Sequence, residues 1–164
     1  MSPHFSKPRR AFLGISLVAL STGLIGWLCP SRASEKFEIE KTADEWRKIL
    51  TPEQYNVLRE HGTEAPGSSL LNKKNDAGIY QCAGCDLPLF SSTTKFDSHT
   101  GWPSFYEPLA NAVGTSTDYE LIGPRTEVHC RRCGGHLGHV FDDGPAPTGK
   151  RYCMNGVAMR FVAT

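Results

Sequence analysis

The fold class predicted for this 164-residue chain is a mostly β, mostly antiparallel domain with short helices at its N-terminal end. Two observations predict that architecture. Paired helix-start signals are confined to residues 42–54, and from Ile79 onward the chain breaks into short β-prone pieces separated by Gly, Pro, Asp and Ser, with no ten-residue amphipathic pattern. A third observation predicts what holds the pieces together: Cys82-x-x-Cys85 and Cys130-x-x-Cys133 are two knuckles, and Cys153 stands apart in Arg151-Tyr152-Cys153-Met154-Asn155.

The first 33 residues read as an export signal rather than as part of the domain. Pro8-Arg9-Arg10-Ala11-Phe12-Leu13 opens an apolar run that continues to Leu28, and Ser31-Arg32-Ala33 offers small residues where a signal peptidase cuts. An arginine pair before Phe-Leu is a twin-arginine pattern, which sends the protein to the periplasm, or anchors it in the membrane if the signal is kept. Residues 1–33 hold four basic groups and no acid, so 34–164 holds 14 basic and 17 acidic residues, a net charge of −3. That surface excludes nucleic acid as a natural partner. The length suits one domain, 34–164, expected as a monomer that meets a membrane only through its signal.

Within the domain, Thr42-x-x-Glu45 is a capping box ahead of Trp46, Ile49 and Leu50. Thr51-Pro52-Glu53-Gln54 is a second box with Pro at the first helical position, and it predicts a helix to Glu60 that ends on Gly62 in the left-handed position. Strands are predicted at Gly78–Cys82, Leu87–Ser91, Ser104–Glu107, Thr117–Leu121, Thr126–His129, His139–Asp142 and Arg151–Val162. Alternation in the last piece puts Val157, Met159 and Phe161 on one face. Extended backward, it groups Arg151, Cys153 and Asn155 on a shared face.

The knuckles predict a structural Zn²⁺, one per chain, on Cys82, Cys85, Cys130 and Cys133, because four thiolates match the tetrahedral set zinc takes. Two disulfides are the competing reading in an oxidising compartment. The twin-arginine route favours zinc, since it resembles one that exports proteins already folded. With 44 residues between Cys85 and Cys130, the ion clips distant segments, a stabilising rather than a Lewis-acid role.

A filled tetrahedron leaves Cys153 free. Beside Arg151 it is a candidate thiolate nucleophile; otherwise it is a small buried hydrophobe. His136 and His139 follow the second knuckle on an expected turn and are candidates for general-acid duty or for structural hydrogen bonds. Trp102, in Gly101-Trp102-Pro103-Ser104-Phe105, is core or a pocket wall. A non-enzymatic zinc-clipped binding module remains the alternative reading. A disulfide oxidoreductase is disfavoured, because neither knuckle leads into a helix pattern.

Together these pieces resemble the B-class methionine sulfoxide reductases, which act on the R epimer. The matching stretches are Cys82-Ala83-Gly84-Cys85, Lys95-Phe96-Asp97-Ser98, Gly101 to Phe105, Cys130 to Pro145 and Arg151 to Asn155, within roughly residues 40–162. The resemblance implies two antiparallel β-sheets with the zinc opposite the active site. It also implies that Cys153 attacks the sulfoxide sulfur and is left as sulfenic acid, that His139 with His136 protonates or hydrogen-bonds the oxygen, and that Trp102 holds the substrate methyl. Asp143, Arg151 and Asn155 would position and polarise the site. The implied substrates are oxidised proteins or peptides, and the implied reductant is a thioredoxin-like or other thiol.

Two departures stand out. Thr100 occupies the place where many members carry a resolving cysteine, which implies direct reduction by an external thiol. After Gly62-Thr63-Glu64, the stretch Ala65 to Ser69 is not the usual continuation.

Overall fold

The computed structural model describes residues 36–119 and 123–164. The export signal expected over 1–33, with Cys29, and positions 120 and 121 of one expected strand lie outside the described residues.

Both capping boxes form. Thr42 caps helix α1 (Ala43–Ile49) and Thr51 caps α2 (Pro52–Glu60), each hydroxyl taking the N3 amide while the Glu45 or Gln54 side chain returns to the cap amide. Helix α1 buries Trp46 and α2 buries Val57 and Leu58, with Leu50 buried just after α1, whereas Ile49 is exposed. The left-handed residue ending α2 is His61 (φ 56°), not Gly62, whose amide instead closes the turn on the Asn56 carbonyl at 2.9 Å. A histidine tolerates that region better than most residues, and here its Nδ1 is tied 3.1 Å from Glu127 Oε1.

Nine strands follow among the described residues: β1 (Gly78–Cys82), β2 (Pro88–Ser91), β3 (Lys95–Phe96), β4 (Ser104–Phe105), β5 (Val113–Asp118), β6 (Arg125–Cys130), β7 (His136–Phe141), β8 (Arg151–Met154) and β9 (Met159–Ala163). They make a three-stranded sheet, β2-β1-β9, and a six-stranded sheet, β3-β4-β8-β7-β6-β5, antiparallel at every pairing. The core lies where the sheets meet. Tyr80 from the small sheet packs edge-on to Phe105 from the large one at 4.9 Å, and Phe90 stacks on Phe105 at 4.4 Å.

The expected strand Arg151–Val162 is two strands in different sheets, β8 and β9, joined by a 3-10 turn over Gly156–Ala158. Glu64 causes the break. Its carboxylate accepts the Gly156 and Val157 amides at 2.7 and 2.9 Å, satisfying backbone groups that a continuous strand would have paired. The expected alternation therefore holds within β9, where Met159 is buried and Arg160 exposed, but does not run through the turn, where Ala158 is buried.

Candidate active site and metal centre

One row of directly opposed residues crosses the whole six-stranded sheet: Ser116, Glu127, His139, Cys153, Ser104 and Phe96. Opposed residues of antiparallel strands present their side chains to the same face, so pairing alone puts His139 and Ser104 on either side of Cys153.

His136, three residues before His139, would face the other side of a regular strand. A bulge corrects this. Val128 pairs with Gly138 while His129 pairs with His136, so β7 carries one extra residue, Leu137, which is fully buried. The two imidazoles then meet edge to face with centroids 5.3 Å apart. They therefore sit on a bulged strand, not on the turn the spacing predicts. Gly138 is required here because a Cβ would lie 2.2 Å from the Cys153 carbonyl oxygen.

Each imidazole has its own carboxylate. His139 Nε2 donates to Asp118 Oδ2 at 2.7 Å, and Arg125 holds the same oxygen at 2.5 Å. Burial pulls the His139 ring below its ordinary pKa; Arg125 and His136 push the same way, and Asp118 opposes them. His136 Nδ1 donates to Glu127 Oε1 at 2.7 Å, with His61 on the same oxygen and the Ser116 hydroxyl donating to the other at 2.6 Å. Burial pushes the Glu127 carboxyl up, but hydrogen bonds from His136, His61 and Ser116 outweigh it and hold the group well below the usual carboxylate range. His61, Glu127 and His136 present donor atoms within 4.8 Å of one another, yet the hydrogen bonds among them already satisfy those atoms.

Cys153 opens on a cleft of about 130 Å³, with Trp102, His139, Phe141, Thr63, Arg125 and Asn155 around it. Trp102 is a wall of this cleft rather than core, its indole N–H donating to the Glu64 carbonyl at 3.2 Å. Asn155 is buried and fixed from both ends: Nδ2 donates to the Leu137 carbonyl at 3.1 Å and Oδ1 accepts the Glu64 amide at 3.0 Å. Arg151 lies over the Phe141 ring at 4.3 Å and takes a bidentate hold on Asp143, Nε and Nη2 at 2.8 and 2.9 Å. That hydrogen bond, together with the nearby Cys153 sulfur, raises the Arg151 pKa. Asp143 is exposed and held by Arg151, and neither of these nor the buried His136 lines the cleft.

The sequence reading missed Asp118, Glu127, His61, Arg125 and Glu64. A signal existed in Arg125-Thr126-Glu127, where two charges two residues apart must share a strand face.

The other four cysteines converge elsewhere. Cys82 ends β1 and Cys130 ends β6, one from each sheet. Each knuckle turns back identically, the Asp86 amide on the Cys82 carbonyl at 2.9 Å and the Gly134 amide on the Cys130 carbonyl at 2.8 Å. Sγ atoms lie 3.7 Å apart for Cys82 and Cys133 and 3.5 Å for Cys85 and Cys130, and all four fall within 4.8 Å. A disulfide would bring sulfurs to about 2.05 Å. A tetrahedron with metal–sulfur bonds of about 2.3 Å has edges of about 3.8 Å, which these separations fit. Hydrogen bonds among the crowded thiols push Cys82 and Cys133 up and hold Cys130 down. Ionising all four together requires a cation between them.

The sequence profile of the SelR domain matches residues 50–163. The chain is 56% identical over 124 residues to the peptide methionine sulfoxide reductase MsrB of Methanosarcina barkeri, covering 75% of this chain and 87% of that protein. It is 53% identical over 125 residues to the MsrB of Agrobacterium fabrum, covering 76% and 93%. It is also 52% identical over 164 aligned residues to peptide methionine sulfoxide reductase B1, chloroplastic, of Arabidopsis thaliana, covering 96% and 79%.

Proposed function

Given that this chain belongs to the SelR-domain family of peptide methionine sulfoxide reductases, we propose that it reduces methionine-R-sulfoxide in proteins to methionine through attack by Cys153. The observation that carries the mechanism is the placement of Cys153 beside His139, in a cleft whose size suits one unbranched side chain and whose wall is the Trp102 indole. A binding module would leave Cys153 inert and sealed, whereas this sulfur is accessible.

The sulfoxide oxygen is a poor leaving group until it is protonated. With Nε2 of His139 committed to Asp118, Nδ1 is the nitrogen that can carry the transferable proton. As that proton reaches the oxygen, the Cys153 thiolate attacks the sulfur. In the net step, oxygen passes from substrate to Cys153, the substrate sulfur gains two electrons as methionine, and Cys153 becomes a sulfenic acid. His136, oriented by Glu127, supports the oxygen end. Trp102 offers an apolar wall to the methyl group, and the Asp143-tethered Arg151 and the fixed Asn155 polarise the sulfur's surroundings.

Recycling is proposed to be intermolecular. The group at the position of a resolving thiol is the Thr100 hydroxyl, 3.7 Å from Cys153 Sγ, and a hydroxyl cannot form a disulfide. One external thiol condenses with the sulfenic acid, releasing water and leaving a mixed disulfide. A second thiol, such as that of a thioredoxin-like protein, releases Cys153. The ion at Cys82, Cys85, Cys130 and Cys133 is proposed to be zinc, which supplies folding stability when bound. Export through residues 1–33 would place this activity in the periplasm.

Incubation with a peptide carrying both sulfoxide epimers tests the proposal: half of the pool, the R epimer, is consumed. Consumption of the S epimer would overturn the stereochemical assignment. The acid role has a second test. Asp118 is what raises the His139 pKa against burial and the Arg125 guanidinium, so Asp118→Asn lets the ring lose its proton at lower pH. The alkaline limb of the pH–rate profile is expected to move acidward, and an unmoved limb would remove His139 from the role.

A further inference from the structure

We propose that Thr100, Ser98 and Ser104 form a reversible hydroxyl chain that turns to give Cys153 a hydrogen bond when its sulfur is ionised, with Thr100 touching the reacting atom. Thr100 Oγ1 lies 3.7 Å from Cys153 Sγ and 2.8 Å from Ser98 Oγ. Ser98 Oγ lies 2.7 Å from Ser104 Oγ, which reaches the Trp102 carbonyl oxygen at 3.2 Å. Four links thus run in line from the sulfur to a backbone carbonyl.

Counting hydrogens fixes the direction of the chain in each state. A carbonyl oxygen can only accept, so when Ser104 donates to Trp102 its single hydrogen is used. Ser98 must then donate to Ser104, Thr100 to Ser98, and the Cys153 S–H to Thr100. Four hydrogens serve four links, and all of them point away from the sulfur.

Ionisation of Cys153 leaves three hydrogens for the same four links. With the old polarity the open link falls at the anionic sulfur, whose Thr100 side then meets only an oxygen lone pair while Arg151 remains its cationic neighbour. Turning all three hydroxyls toward Cys153 moves the open link to the Ser104–Trp102 end, the longest of the oxygen–oxygen links. A charge-assisted hydrogen bond is gained at the sulfur for the loss of a weak neutral one.

The chain is held by the fold. Ser104 is opposed to Cys153 across β4 and β8 and is fully buried, which fixes the far end away from solvent. Ser98 and Thr100 lie in the loop between β3 and β4, partly exposed at the cleft side. Where a second thiol would serve this sulfur by a covalent bond, this chain serves it by a switchable hydrogen bond.

The role of the chain in catalysis rests on the reading of Cys153 as nucleophile, but its polarity does not. The test is therefore the rate of Cys153 alkylation by iodoacetamide in the folded full chain at neutral pH, with Cys153 followed by peptide mass mapping. No sulfoxide is involved, so failure of the reductase assignment is separately visible. Thr100→Val removes the hydroxyl at nearly constant shape and is expected to slow alkylation about tenfold, the order that one charge-assisted hydrogen bond supports. Thr100→Ser is expected to restore the rate. Ser98→Ala, which does not touch the sulfur, is expected to lose part of it by leaving Thr100 unsupported. In turnover, Thr100→Val should lower kcat with KM held. A Thr100→Val protein alkylated as fast as wild type, a Thr100→Ser protein as slow as Thr100→Val, or a wild-type rate in Ser98→Ala would each overturn the chain.

Discussion

Cys153→Ser is expected to lose turnover by at least about a thousandfold while keeping its metal, its fold and its cleft. The size of the loss follows from the chemistry the sulfur supplies. A serine hydroxyl stays protonated at neutral pH, and its oxygen cannot accept the sulfoxide oxygen while giving up two electrons, so neither nucleophile nor reductant remains. The size of the structural effect follows from position. Cys153 is partly exposed at the cleft, so the substitution removes no core packing and is expected to change stability by less than about 1 kcal/mol. Sulfoxide-peptide reduction, bound metal and thermal unfolding measured on one preparation separate the two effects. Retained turnover would remove Cys153 from the mechanism; lost metal or a collapsed melting transition would mean that the residue is structural after all. In wild type, oxidation by substrate without reductant should leave Cys153 as a sulfenic acid, with mass mapping finding no bridge from Cys153 to Cys82, Cys85, Cys130 or Cys133.

The capping boxes and the cysteine spacing were legible because their physics is local: a hydroxyl three residues from a Glu or Gln, and paired thiols on one turn, form before any distant partner is known. Of the expected grouping of Arg151, Cys153 and Asn155, the last two share the cleft, while Arg151, opposed to Phe141, is outside its lining and meets the sulfur from beside it. What did not come through depends on distant partners. Reading Arg151–Val162 as one strand failed because the interruption is made by Glu64, about ninety residues earlier in the chain. His136 and His139 could not be placed on one face from spacing alone, because the bulge that aligns them is a property of the β6–β7 pairing. Their carboxylates were invisible for the same reason: Asp118 and Glu127 become site residues only when β5 and β6 are laid beside β7. The resemblance named the groups at the reacting centre. The groups that orient them came from the sheet register.

Removal of the metal is expected to unfold the domain rather than merely to slow it. The four sulfurs join the two sheets at the ends of β1 and β6, across 44 residues of intervening chain that the unfolded protein leaves unrestrained. A structural zinc ion, the occupant proposed for these cysteines, contributes on the order of 10 kcal/mol, comparable with the whole stability of about 5–15 kcal/mol that a domain usually has. Without the ion, four crowded thiols must share one buried space with no cation to let them ionise together. Cys130→Ser, or a strong chelator under reducing conditions, should therefore abolish the cooperative melting transition at ambient temperature and take activity with it. Zinc restored at one equivalent per chain should bring both back to the chelated protein but not to Cys130→Ser. A metal-free protein that still melts cooperatively within a few degrees of the holo form would show that the two sheets hold without the clip. Oxidation adds a direction to this dependence. Cys82 and Cys133 lie 3.7 Å apart and Cys85 and Cys130 3.5 Å, so in the empty site each pair is close enough to close into a disulfide with small backbone adjustment. A chain proposed to work outside the cytoplasm must therefore hold its metal before it meets the oxidising compartment, and metal added after oxidation of the empty protein should rescue neither fold nor turnover until the thiols are reduced.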